Sequence, residues 1–296
     1  MMNTFVSDIE FVLSGKKLRG LACGDENAPI LLCLHGWLDN AASFTHMLPA
    51  LAKTYRVVAI DWFGHGHSDH RSLDAHYHFV DWAYDLLQLI DINNWQSVHI
   101  VGHSMGAMVA SAFTAAFSDK VLSLTMIDAF GFLSLDESET TTQLKKGLQS
   151  RLTTDRKSRF FNNKPIKSSY GSIAEAVKAR AAVADFDESV ASLLVERGIK
   201  GNAHGFVWRA DPRVRHVSPY RWSLLQAQQV MKDITVPTQL IHGDNGMDMV
   251  KKGLLAFKLG TAEFNEFTLH GGHHVHMELP EETAQLVLTF ITQYAK

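Results

Sequence analysis

The stretch Val98-His99-Ile100-Val101-Gly102-His103-Ser104-Met105-Gly106-Ala107 constrains this chain more than any other. Its apolar start reads as a buried strand, and the small-residue segment 105–117 that follows reads as a helix. A sharp strand-to-helix turn strains the backbone at Ser104, and Gly102 and Gly106, two positions before and after it, let strand and helix approach. Such a turn lifts the Ser104 hydroxyl clear of the sheet and aims a helix N-terminus at it. The Met105 N–H is then set to donate to a developing oxyanion. The plain alternative is an ordinary βα turn, so the motif has to be weighed with what surrounds it.

The surroundings repeat the pattern. Residues 4–13 and 18–23 read as strands about a turn, and 30–34, 56–60, 97–101 and 121–127 as short buried strands. Helical periodicity covers 43–52, 79–90 and 105–117. The alternation resumes with strands at 238–241 and 262–269 and helices at 249–259 and 281–294. Apolar strands separated by helices predict a mostly parallel sheet covered on both faces. Between 131 and 230 there are helical stretches, 173–185 and 189–197, but no clear buried strand. The expected division is therefore a core of residues 1–130 and 231–296 with a helical insertion over 131–230.

Charge supports a division in that region. Residues 131–230 carry 16 Lys and Arg against 10 Asp and Glu, a net of +6, and the rest carry 12 against 21, a net of −9. Over 296 residues the sum is −3, which argues against a nucleic-acid binder driven by bulk positive charge. The two cysteines, Cys23 and Cys33, make no disulfide framework, and a reducing compartment is the expectation. The first residues lack a basic stretch followed by an apolar run, and no segment has the length of an apolar span. A cytoplasmic protein with no membrane partner is expected. Nothing in the sequence indicates an oligomeric state.

A nucleophilic serine needs a base, and histidine is the side chain suited to that task near neutral pH. The candidate lies in Gly271-Gly272-His273-His274-Val275-His276-Met277-Glu278-Leu279-Pro280, between the last strand and the last helix. His273, His274 and His276 together raise a zinc reading, but no H-E-x-x-H or cysteine partner accompanies them. No metal and no cofactor are expected.

At this point the sequence resembles the α/β-hydrolase superfamily, over nearly the whole chain. Members commonly close with a Gly-His pair followed by Glu at +5 and Pro at +7, and His273 fits that register through Glu278 and Pro280. The resemblance implies an eight-stranded, mostly parallel sheet with helices on both faces and an inserted helical cap over the serine. It places the second oxyanion N–H on Trp37, after His35-Gly36, and gives the loop Asp61-Trp62-Phe63-Gly64-His65-Gly66-His67-Ser68 a structural role. The acid is where the chain departs from the commonest pattern. Many members carry it as G-x-x-D after the seventh strand, but Gly243-Asp244-Asn245-Gly246 has glycine at that position. Asp128, at the end of the sixth strand, is the favoured substitute, and Asp244 and Asp248 are the alternatives. An Asp in the place of Asp128 can also simply orient a loop.

Four segments resemble the serine hydrolase-like branch of the superfamily: residues 35–44, 61–68, 203–213 and 273–277. Serine at the turn points to acyl transfer, and the expected reaction is hydrolysis of a small carboxylic ester through an acyl-enzyme. A hydrolase-fold ligand-binding protein, and a cofactor-free perhydrolase or C–C hydrolase on the same residues, are the alternatives. Two readings remain for the basic residues Lys145, Lys146, Arg151, Arg156, Lys157 and Arg159: solvated helix faces, or attraction of anionic substrates.

Overall fold

Period-two alternation along the central strands sends apolar side chains into two separate cores. In β3 (Ile30–Leu34), Leu32 and Leu34 join one core while Leu31 and Cys33 join the other. In β4 (Arg56–Ile60), Val58 and Ile60 face one side and Val57 and Ala59 the other. A strand apolar on both faces must be covered on both faces, and this one is. The first core packs under the helices Phe79–Ile92, Met105–Ala116 and Leu224–Lys232, through Trp82, Leu86, Phe113 and Met231 among others. The second packs under Leu48–Leu51 and Pro280–Ile291, through Leu51, Val287 and Phe290.

The computed structural model describes residues 5–161, 170–261 and 263–294. Besides β3 and β4, its strands are β1 (Ser7–Leu13), β2 (Lys16–Cys23), β5 (Val98–His103), β6 (Val121–Ile127), β9 (Thr238–Gly243) and β10 (Phe264–Leu269), with a separate pair β7 (Ile199–Asn202) and β8 (Gly205–Trp208). Eight form one sheet in the order β1-β2-β4-β3-β5-β6-β9-β10. β1 and β2 run antiparallel to each other, β2 runs antiparallel to β4, and the rest is parallel. The expected eight-stranded α/β sheet is therefore present. Cys23 and Cys33 are buried free thiols, and burial pushes the Cys33 thiol far up. Among the described residues no helix is long and apolar enough to cross a membrane.

Three details differ from the sequence reading. The single helix expected over 43–52 is a 3₁₀ turn, Ala41–Phe44, followed by the short helix Leu48–Leu51. Pro49 has no N–H to give a continuing helix and is accommodated in the first turn of a new one. The segment after β6 is not purely helical, because β7 and β8 pair antiparallel across Asn202-Ala203-His204-Gly205. The Asn202 side chain accepts from the His204 N–H, and Gly205 takes the positive φ of 120° that closes the turn. Finally, the expected boundary at 230 falls inside the helix Leu224–Lys232, whose Ala227 and Met231 belong to the first core.

Candidate active site

The turn after β5 is tight enough to explain its glycines. A Cβ on Gly102 would lie 2.6 Å from the Ala107 Cα, and one on Gly106 would lie 2.1 Å from the Leu34 carbonyl oxygen. Ser104 between them has φ 50° and ψ −118°, a conformation costly for a residue with a side chain. Sheet and helix both hold it there: Ser104 N–H donates to the Ile127 carbonyl at 2.9 Å, and its own carbonyl accepts from Met108 N–H at 3.1 Å. The strain leaves the hydroxyl at the carboxyl end of the sheet, partly exposed.

The Ser104 Oγ lies 3.0 Å from His273 Nε2, and His273 Nδ1 lies 2.6 Å from Asp128 Oδ2. With Nδ1 donating to the carboxylate, Nε2 is the free lone pair that accepts from the serine hydroxyl. Glu278 accepts from Gly272 N–H at 2.9 Å, which fixes the loop carrying His273 and accounts for the Glu at +5.

Asp128 is fully buried, with φ 44°, and its N–H donates to the Ile241 carbonyl at 2.9 Å. Its carboxylate also accepts from Gly243 N–H at 3.2 Å and Met247 N–H at 3.0 Å. These bonds turn the side chain across the end of β9, into the space where the commoner acid would stand. A Cβ on Gly246 would lie 2.1 Å from Asp128 Oδ1, so the glycine at that position is a steric consequence of Asp128.

Asp244 and Asp248 are not brought to the histidine. Asp244 is exposed, lies 2.8 Å from His270 Nδ1 and accepts from Gly271 N–H. That hydrogen bond to His270 lowers the Asp244 pKa and raises that of His270. Asp248 is exposed at the start of the helix Asp248–Ala256.

Trp37 and Met105 lie on the loop after β3 and at the first residue after Ser104. Among the described residues, the N–H groups of both donate to no protein acceptor. The Trp37 indole is half-exposed and donates to the Val214 carbonyl at 3.0 Å, with the Arg215 guanidinium 5.7 Å from its ring. Asp61 is wholly structural in its contacts: it accepts from Ala41 N–H, His67 N–H and the Arg197 guanidinium.

Sequence reasoning missed a buried polar group beside these residues. His274 Nε2 lies 3.3 Å from Asp39 Oδ2, and its Nδ1 lies 2.5 Å from Asp185 Oδ1. Burial opposes charge on His274, but the hydrogen bonds to Asp185 and Asp39 outweigh it and raise its pKa to about 9. Burial alone would raise the Asp39 carboxyl, yet His274, Arg180 and His103 hold it well below the usual carboxylate range. His276 packs between Phe44 and His103, with ring centroids 5.1 and 4.3 Å away, and burial pushes its pKa down to about 3. The rings of His273, His274 and His276 thus gather around His103 but differ in partners: His273 bonds to Asp128 and His274 to Asp185 and Asp39. Only the doubled histidine and the Asp in His35-Gly36-Trp37-Leu38-Asp39 hinted at the missed group.

Of the basic residues considered for steering, Lys145, Lys146 and Arg151 lie on the helix Thr140–Phe161, and the side chains of Arg156, Lys157 and Arg159 lie outside the described residues. Other cations of residues 131–230 pair with carboxylates outside that stretch: Arg180 with Asp39 at 2.9 Å, and Arg197 with Asp61 and Asp8 at 2.8 and 2.9 Å.

An elbow serine, a histidine after the last strand and a doubly wound sheet are the marks of one class. The chain belongs to the α/β hydrolase fold family, whose pattern matches residues 29–280. A serine hydrolase-like protein of Danio rerio is 28% identical over 308 residues, covering 98% of this chain and 90% of its own length. Serine hydrolase-like protein 2 of Homo sapiens is 26% identical over 310 residues, covering 97% and 94%. These relatives bear out the resemblance to the serine hydrolase-like branch. Among solved structures, a hypothetical protein from Pseudomonas aeruginosa superposes with a TM-score of 0.85 at 29% identity, over 97% of this chain and 98% of that one. A thioesterase domain from the curacin biosynthetic pathway superposes with a TM-score of 0.81 at 25% identity, over 96% and 99%.

Proposed function

We propose that this hydrolase cleaves a small carboxylic ester through an acyl-enzyme on Ser104, with His273 as base and Asp128 as the acid that orients it. The observation that carries the reading is the unbroken hydrogen-bonded line from Ser104 Oγ through both ring nitrogens of His273 to Asp128. Ser104 Oγ attacks the carbonyl carbon while His273 Nε2 takes its proton. The carbonyl oxygen becomes an oxyanion, for which the Trp37 and Met105 N–H groups are the donors. Collapse returns the His273 proton to the leaving alcohol, and water repeats the sequence on the acyl-enzyme to release the acid. The Asp128 carboxylate balances the charge of the imidazolium at each half-reaction. The insertion serves as the cap, contributing Val214 against Trp37 and Asp185 against the loop of His273.

Thioesters are the second reading, favoured by the likeness to the curacin thioesterase domain. The two are separated by turnover of matched p-nitrophenyl esters and acyl thioesters of graded chain length. Hydrolysis lost in Ser104→Ala is expected on at least one series. Equal rates for the wild type and Ser104→Ala on both would contradict an enzyme and favour a ligand-binding protein of the same fold.

A further inference from the structure

Next to the proposed triad, and sharing no side chain with it, three ligand atoms converge. Asp39 Oδ2 is 3.3 Å from His274 Nε2 and 3.9 Å from His103 Nδ1, and the donor atoms of the three residues all lie within 4.8 Å of one another. The residues are 4%, 8% and 0% exposed, in the order Asp39, His274, His103.

Their remaining polar atoms are already engaged. His274 Nδ1 faces Asp185 Oδ1 at 2.5 Å, and His103 Nε2 faces the His273 carbonyl at 2.9 Å. Asp39 Oδ1 accepts from Arg180 at 2.9 Å. Each of those ring nitrogens meets an oxygen acceptor and so carries a hydrogen. In a neutral His103 the opposite nitrogen, Nδ1, is then a bare lone pair. It is buried, has no hydrogen-bond partner and faces a carboxylate oxygen. A proton on His274 Nε2, 3.3 Å from Asp39 Oδ2, answers the carboxylate alone and leaves His103 Nδ1 a bare acceptor in a dry interior, which is costly unless something positive faces it as well. The point where the three atoms converge is also kept open: a Cβ on Gly36 would lie 2.9 Å from His103 Nδ1 and 3.2 Å from Asp39 Oδ2.

We propose that Asp39 Oδ2, His103 Nδ1 and His274 Nε2 bind a divalent metal ion, zinc by the chemistry of two imidazoles and one carboxylate. The outer contacts fit that assignment. Ligating histidines characteristically donate their second ring N–H to a carboxylate or a backbone carbonyl, as His274 does to Asp185 and His103 to the His273 carbonyl. The ion takes the place of the proton that His274 otherwise shares with Asp39, and that proton is released to solvent on binding.

The site's place in the chain gives it a task. Asp39 follows Trp37 by two residues, His103 immediately precedes Ser104, and His274 immediately follows His273. One ion would tie together the three loops that carry the proposed oxyanion donor, nucleophile and base, touching no reacting atom. Its ligands act as positioning residues.

The test reads metal directly and does not depend on the hydrolase reading. The full chain is stripped with a chelator, reloaded with zinc or cobalt, desalted and assayed for metal content, visible d–d absorption of bound cobalt and Tm. One equivalent of zinc per chain is expected to survive desalting, with a rise in Tm and a tetrahedral cobalt spectrum that zinc abolishes. Asp39→Asn should lose the bound equivalent, and Asp185→Asn, which keeps all three ligands, should weaken binding by roughly 10–100-fold. The chain has 16 histidines, so zinc retained equally by the wild type and both variants sits elsewhere and overturns the proposal. A stripped wild type that takes up no zinc overturns it too, leaving the His274 imidazolium as the charge that closes the group.

Discussion

At the scale of single residues, the proposed acid, Asp128, is the informative position. Ser104 and His273 were readable because each is bracketed by neighbours with their own steric or hydrogen-bonding duties: Gly102 and Gly106 for one, Glu278 for the other. Asp128 had no such bracket in sequence. What singles it out is a three-dimensional exclusion, its carboxylate filling the space beside Gly246. Asp128→Asn should lower kcat on the order of 10⁴-fold through the wrong His273 tautomer, and Asp244→Asn should change it little. Gly246→Asp alone should also be crippled, since its side chain collides with Asp128. In the Asp128→Ala background the same change has room, and recovery of part of the lost kcat is expected. Loss of activity in Asp244→Asn with Asp128→Asn intact would reverse the assignment. Asp39 and Asp185 were illegible for a related reason: they meet His274 from 235 and 89 residues away in sequence.

At the scale of elements, the core strands were readable because double-sided burial leaves a continuous apolar run. Helix ends and short turns were less so, as with the break before Leu48. The hairpin β7–β8 was missed although Phe206-Val207-Trp208 after Gly205 is a run of strand formers; the pair is short, and three of the four β7 residues, Lys200, Gly201 and Asn202, are exposed. The elbow makes the sharper prediction. Gly106→Ala puts a Cβ against the Leu34 carbonyl, a backbone atom of a central strand that has no freedom to yield. The helix Met105–Ala116 must then shift from β3, lowering Tm and misplacing both the Ser104 hydroxyl and the Met105 N–H. Ala116→Ser, at the exposed last residue of the same helix, is the control and should leave Tm within a degree or so. An unchanged Tm and kcat in Gly106→Ala would contradict the packing described.

At the scale of the whole molecule, the opposite charges of residues 131–230 and of the rest of the chain meet in ion pairs. Arg180 on Asp39 and Arg197 on Asp61 and Asp8 are that meeting, and Arg213 adds hydrogen bonds to the Arg71, Ser72 and Ala75 carbonyls. The sequence showed the asymmetry of +6 against −9 without showing this use of it. Buried histidines set a second global property. Burial lowers the pKa of His65 to about 3 and of His99 to about 4, from an ordinary value near 6.5. Between pH 6.5 and about 4 the unfolded chain takes up protons that these residues refuse in the fold. Their stabilisation is full above pH 6.5 and declines as pH falls, by about 1.4 kcal/mol per pH unit for each histidine. Denaturant midpoints should therefore drop steeply on acidification, and His99→Gln should flatten the slope. A slope identical in wild type and variant would remove His99 from the account.

The central claim is that Ser104 is a nucleophile activated by His273 and Asp128. Intact-mass analysis after treatment with a fluorophosphonate, followed by peptide mapping, tests it most directly. One adduct per chain on the Ser104 peptide is predicted, absent in Ser104→Ala and much slower to form in His273→Ala and Asp128→Asn. A wild-type chain that stays unmodified, or that is modified equally when Ser104 is alanine, would contradict it.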